Sequence, residues 1–190
     1  MKPHMRVLGI DDSPFSFDEK DVVIIGAAVR LPNYLEGVLQ TSSEVDGTDA
    51  TDRIAEMVRR SRYMENLAAV LIDGIAVGGF NVIDIEALHD VIRIPVVTVT
   101  RDKPDIASIK EALKAKFSDW EGRLGLITRK ELHKIETKHK PLYVQFTGTK
   151  IEEVEELISK STVLGALPEP IRIAHLIAAG MRTGESHGRA

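Results

Sequence analysis

Aspartates gather where apolar, β-branched runs end. Asp11 and Asp12 follow Arg6-Val7-Leu8-Gly9-Ile10; Asp46, Asp49 and Asp52 follow the stretch ending Ser42-Ser43-Glu44-Val45; Asp73 follows Leu67 to Ile72. A strand end leaves a carboxylate solvated while the sheet holds it rigidly. Several such carboxylates brought together repel one another unless a cation lies between them. Hard divalent ions such as Mg²⁺ or Mn²⁺ suit that arrangement, bound by a few carboxylates with water and substrate phosphate. The plainer reading of each cluster by itself is turn chemistry.

Two further groups of residues have chemical potential. Arg172 and His175 interrupt an otherwise apolar run, Ile171 to Ala178, that follows Pro168-Glu169-Pro170. Their i, i+3 spacing puts them on one helix face, and a buried helix must supply them with partners. The carboxylate cluster is one candidate partner, which makes His175 a candidate general acid–base; a core histidine satisfied by a hydrogen bond is the alternative. Gly78, Gly79 and Asn81 lead into a helical pattern, where backbone N–H groups can face a phosphate. Their spacing matches neither the phosphate-binding loop of nucleoside triphosphatases nor the dinucleotide fingerprint, and a tight turn explains the glycines equally well. The basic stretch from Thr128 to Lys140 can line a nucleic-acid backbone or form a solvated face. His4, His89, His133, His139 and His187 lack metal-ligand spacing.

The elements that would position these residues read as follows. Strands are predicted at 5–11, 21–31 and 35–44, joined by turns as an antiparallel meander. Then come a helix at 50–63, a strand at 67–72, a helix at 82–92 with Asn81 as N-cap, a strand at 94–100 and a helix at 105–117. Residues 122–139 are ambiguous, with the alternation Leu124-Gly125-Leu126-Ile127 suggesting a strand. A strand at 142–146, an acidic amphipathic helix at 150–160 and an apolar helix at 169–180 complete the pattern, with 181–190 as a frayed tail. A meander followed by βαβ crossovers predicts an α/β fold: a mixed sheet with helices on both faces.

The chain has 190 residues, which suits one domain, and is 43% hydrophobic and 28% charged, as in ordinary globular proteins. It contains no cysteine. That excludes disulfides, thiolate metal sites and cysteine nucleophiles, and fits a reducing, cytoplasmic location. No signal-peptide pattern opens the chain, and no apolar run approaches the roughly 20 residues of a membrane span. Net charge is −4, with 9 Lys and Arg against 16 Asp and Glu in residues 1–100, so the chain as a whole is no polyanion binder. Only 5% of residues are aromatic, which argues against a stacking platform for single strands.

Several segments together resemble a largely archaeal family related to endonuclease V. Gly9-Ile10-Asp11-Asp12-Ser13 is similar to its G-[IV]-D-x-S motif, and Leu71-Ile72-Asp73-Gly74 to its D-G strand end. Ile94 to Val99, Pro141 to Val144, and the long Leu167 to His175 segment with its P-E-P-x-R-x-A-H pattern match further motifs. The resemblance covers about residues 5–180. It implies a ribonuclease H-like fold, a divalent-metal centre at Asp11 and Asp73, an active-site histidine at His175 and nucleic acid, RNA or DNA, as partner. The middle family carboxylate, a Glu, is missing; Asp46 or Asp49 is the expected substitute, with Asp52 third because it falls inside a helix. The Tyr-Ile-Pro wedge of endonuclease V has no counterpart in Gly37 to Ser43, so substrate identity does not carry over. The resemblance thus implies a metal-dependent phosphodiester hydrolase, with Asp11 and Asp73 as catalytic metal ligands and Arg172 as a nearby counter-charge. The alternatives are a non-catalytic nucleic-acid-binding or interaction protein that kept the fold, and a small-molecule phosphate enzyme using residues 78–81.

Overall fold

The computed structural model describes residues 5–186, so His4, His187 and the end of the expected tail lie outside the described residues. Three strands form the expected meander: β1 (Arg6–Asp12), β2 (Asp21–Arg30) and β3 (Tyr34–Glu44). Helix α1 (Ala50–Arg59) then leads to β4 (Leu67–Asp73), which pairs with β1 in parallel. A short hairpin, β5 (Ala76–Val77) and β6 (Asn81–Val82), precedes α2 (Ile85–Ile92) and β7 (Val96–Thr100), again parallel to β4. Helices α3 (Ile106–Lys116) and α4 (Trp120–Thr128), strands β8 (His133–Ile135) and β9 (Leu142–Thr147), and helices α5 (Ile151–Ser161) and α6 (Glu169–Thr183) complete the chain. The seven-stranded sheet runs β3-β2-β1-β4-β7-β9-β8. Antiparallel on its flanks and parallel at its centre, it is the mixed sheet expected from the sequence.

Alternation sorts the strand residues between two faces. Leu8, Ile10, Ile24, Val70 and Ile72 pack against α1 and α2 through Ile54, Val58, Leu88 and Ile92. Val7, Ala69, Leu71, Val97 and Val99 face α5 and the start of α6. Ile25, Ala27 and Val29 meet Ala174 and Ala178 further along α6. β2 is buried on both faces, as its unbroken apolar run predicts.

Four local expectations are corrected. Asn81 does not cap α2: it lies in β6, and Asp84 is the N-cap, accepting from the Glu86 and Ala87 N–H groups at 3.1 Å. Residues 124–127 belong to helix α4, not to a strand. Their alternation is incidental, because the buried positions are Arg123 and Ile127, four residues apart on one helix face. Helix α1 ends at Arg59 rather than 63, and Met64 starts a short 3₁₀ turn. Helix α6 runs to Thr183, where Gly184 closes it in the left-handed conformation.

Candidate active site

Parallel pairing of β1 with β4 places Gly9 opposite Leu71 and Ile10 opposite Ile72. The next step along both strands puts Asp11 beside Asp73. Both continue the row Val7-Gly9-Asp11 and Ala69-Leu71-Asp73, so their carboxylates project to the α6 face. Helix α6 lies directly on that row. A Cβ on Gly9 would stand 2.0 Å from the Pro170 carbonyl carbon, so only glycine lets the helix approach this closely. From α6, His175 reaches down, and its Nδ1 is 2.8 Å from Asp11 Oδ2. One ligand atom from each of Asp11, Asp73 and His175 falls within 4.8 Å of the others.

Electrostatics mark this as a strained cluster. Burial, then the neighbouring charges of Asp73 and Asp12, push the Asp11 carboxyl up to about 8; the Asp12 N–H and Arg101 oppose that rise. The Asp73 carboxyl is also raised by burial, against the opposing charges of Arg101 and His175. Burial raises Asp12 as well. Asp12 points to the opposite face of the sheet, where it accepts the Gly78 N–H at 2.8 Å. A buried carboxylate, a half-buried carboxylate and a half-buried imidazole on one sheet face form a donor set that fits a divalent cation. A cation there would reverse the unfavourable proximity of Asp11 and Asp73.

The other residues singled out from the sequence lie elsewhere. Among the described residues, the ligand cluster contains neither Asp46 nor Asp49. Asp46 pairs with Lys116 and accepts the Phe80 N–H; Asp49 binds Arg53, the Glu44 N–H and Asn81. These contacts occupy both carboxylates, and Asp52 sits in the first turn of α1. Gly78 and Gly79 make the β5–β6 turn, both with positive φ, and β6 separates them from the α2 N-cap Asp84. The N–H groups of Gly78 and Phe80 are taken by Asp12 and Asp46. Asn81 is fully buried: it accepts from Ala50 at the start of α1 and donates to Glu44 O and Asp49. It therefore caps α1 across space. Arg172 makes a bidentate pair with Glu169 rather than reaching Asp11. In the basic stretch, Arg129, Lys130 and Lys134 pair with Asp84, Glu86 and Glu136.

Sequence reading missed three contributors. Gly9 was legible only as part of a motif, since its role depends on the crossing of α6. Arg101 follows β7, the strand beside β4, and strand order alone carries it to the acidic pair. Gln145 is a polar residue amid the apolar β9 and is 7% exposed, a pattern that flags a specific polar role. It lines a cavity of about 730 Å³ that opens beside Asp73, walled by Ile75, Phe80, Ile109 and Ile127, with Arg101 and Lys103 also lining it.

Sheet order places the chain in the ribonuclease H-like fold class, with an acidic centre at the adjacent ends of β1 and β4. The chain belongs to the endonuclease dU family, whose model matches residues 3–182. A UPF0215 protein of Methanothermobacter thermautotrophicus is 44% identical over 192 residues, covering all of this chain and 94% of that protein. The crystal structure of a protein of unknown function from Archaeoglobus fulgidus superposes with a TM-score of 0.84 at 37% identity, covering 93% of this chain and 98% of that one. Endonuclease V of Ciona intestinalis, solved with a 24mer DNA containing an inosine followed by a ribo-adenosine, gives a TM-score of 0.59 at 15% identity. That match covers 90% of this chain and 83% of the other, and it shows the shared fold. Among the described residues, no helix is long and apolar enough to cross a membrane.

Proposed function

We propose that this chain is a divalent-metal-dependent phosphodiester hydrolase acting on nucleic acid. The name of its family points to DNA containing deoxyuridine as the substrate class. The observation that carries this reading is the convergence of Asp11, Asp73 and His175 from three elements distant in sequence. Turn chemistry explains one aspartate at a strand end; it does not explain two on the same face beneath a histidine.

Asp11 and Asp73 would hold Mg²⁺ or Mn²⁺, which supplies charge neutralisation at the phosphate and a more acidic water. The chain's own residues set the frame. Rigid strand ends fix the two carboxylates, and the contact with His175 Nδ1 orients Asp11. That contact holds a proton that can be passed within the site, which suits His175 to proton transfer at the attacked or leaving oxygen. The positive charge of Arg101 offsets part of the negative charge of Asp11 and Asp73.

Cleavage of end-labelled DNA and RNA oligonucleotides in Mn²⁺ tests the reading. Wild-type protein is expected to cut deoxyuridine-containing DNA, and Asp11→Asn and Asp73→Asn are expected to abolish the cut. Wild-type protein that binds DNA without cutting it would indicate a binding module. Cutting that survives both substitutions would place the chemistry elsewhere.

A further inference from the structure

A second cavity, of about 560 Å³, opens at the end of β1 opposite the acidic centre. Arg6, Arg30, Arg62 and Glu36 line it together with Tyr34 and Tyr63. Three guanidiniums against one carboxylate leave a local surplus of two positive charges, in a chain whose net charge is −4. The fold enforces this crowding. Antiparallel pairing sets Arg6 directly opposite Arg30, and like charges in that arrangement are unfavourable by themselves. Between β2 and β3, Ala28 pairs with Gly37 and Val29 with Leu35, so Glu36 is the extra residue of a β-bulge, a device that re-aims a side chain. Its carboxylate is shared by both arginines of the pair. Gly37 makes room for Tyr63, since a Cβ there would stand 2.1 Å from the Tyr63 hydroxyl. That hydroxyl donates to Glu36 O at 2.9 Å and accepts from Arg62 Nη2 at 2.8 Å. The Arg6 and Arg62 guanidinium carbons lie 5.5 and 5.0 Å from the Tyr63 ring centroid. Among the described residues, Arg62 has no carboxylate partner, and Arg6 engages Glu36 through Nε alone. Two guanidiniums gathered on one tyrosine ring therefore keep N–H groups to spare.

We propose that this cavity binds the phosphate monoester of a nucleotide, gripped by Arg6 and Arg62 with Arg30 at the rim. A phosphate monoester carries about −1.5 to −2 charge at neutral pH, which matches the surplus; a carboxylate or a phosphodiester carries only about one. The planar guanidinium fork suits phosphate oxygens. The volume falls within the roughly 300–1,000 Å³ of small-molecule sites, well beyond what a bare phosphate fills. Tyr34, 68% exposed on the cavity wall, offers a ring face on which a base can stack. The site is separate from the acidic centre: Asp11 lies five positions beyond Arg6 on β1, about 17 Å away at the rise of a strand.

The test is calorimetry on the full chain, freed of metal on a chelating resin and held at low salt. The probes are AMP, adenosine, and one single-stranded oligonucleotide with either a 5′-phosphate or a 5′-hydroxyl. AMP is expected to bind about 10- to 100-fold tighter than adenosine. Arg62→Ala, at an exposed residue without an ion pair, is expected to weaken AMP about 10-fold or more, whereas Asp11→Asn leaves it unchanged. A 5′-phosphorylated strand that outbinds both AMP and its 5′-hydroxyl counterpart identifies a strand end as the source of the phosphate; AMP binding as tightly or tighter identifies a free nucleotide. If neither AMP nor the phosphorylated strand exceeds its phosphate-free counterpart at millimolar concentration, the site is overturned. Binding that Arg62→Ala leaves intact overturns it equally, and neither result touches the nuclease reading.

Discussion

Asp11 is where burial, like charge and a histidine meet. With its carboxyl at about 8 in the folded chain and an ordinary value near 3.8 when unfolded, the folded state holds the extra proton between those limits. Stability of the metal-free chain must fall as pH rises through that window, with the loss complete above about 8. Thermal melts in EDTA are therefore expected to drop in midpoint from pH 5 to pH 9. Asp11→Asn should flatten the drop and melt above wild type at pH 9, and millimolar Mn²⁺ should do the same for wild type alone. Arg172 gives the contrasting case. Its partner Glu169 is buried, so Arg172→Ala leaves a carboxylate without its bidentate donor. A loss of about 1–3 kcal/mol in urea unfolding is expected, with unchanged Mn²⁺ affinity by calorimetry.

Helix α6 converts strand register into a site, and it does so through Gly9. A methyl group there meets the Pro170 backbone at 2.0 Å, and backbone cannot step aside as a flexible side chain can. Gly9→Ala is expected to cost about 3 kcal/mol or more and to weaken Mn²⁺ binding, because His175 rides on the displaced helix. Asn81 does comparable work for α1. Asn81→Ala removes three hydrogen bonds from a fully buried position and should lower stability by about 2–3 kcal/mol without altering metal affinity. These two residues also show what was legible in the sequence. Strand and helix periodicities carried the meander, the crossovers and the apolar face of α6, and motif context singled out Asp11, Asp73 and His175. Asn81 was misread as the cap of α2 because its partners Glu44, Asp49 and Ala50 are distant in sequence, and a short polar residue before a helix looks the same whichever helix it caps. Helix α4 was obscured because its buried face is led by Arg123, whose guanidinium is satisfied by Gly47 O and Phe80 O.

At the scale of the whole molecule, the parallel centre of the sheet brings the ends of β1, β4 and β7 to one edge, where ligands bind in open α/β sheets. The acidic centre, Arg101 and the cavity beside Asp73 share that edge, while the opposite end of β1 carries the Arg6–Glu36–Arg30 ion-pair cluster. A chain of net charge −4 with its carboxylates at the working edge repels a polyanion until a cation intervenes. DNA affinity is therefore expected to rise when Ca²⁺ replaces EDTA and to fall as NaCl is raised, both read by anisotropy. The central question is whether a cation sits where β1, β4 and α6 meet. A crystal soaked in Mn²⁺ and measured for anomalous scattering answers it directly. A peak within coordination distance of both Asp11 and Asp73 is the expected result; a peak at Asp46 or Asp49 instead, or none between Asp11 and Asp73 at millimolar Mn²⁺, would contradict it.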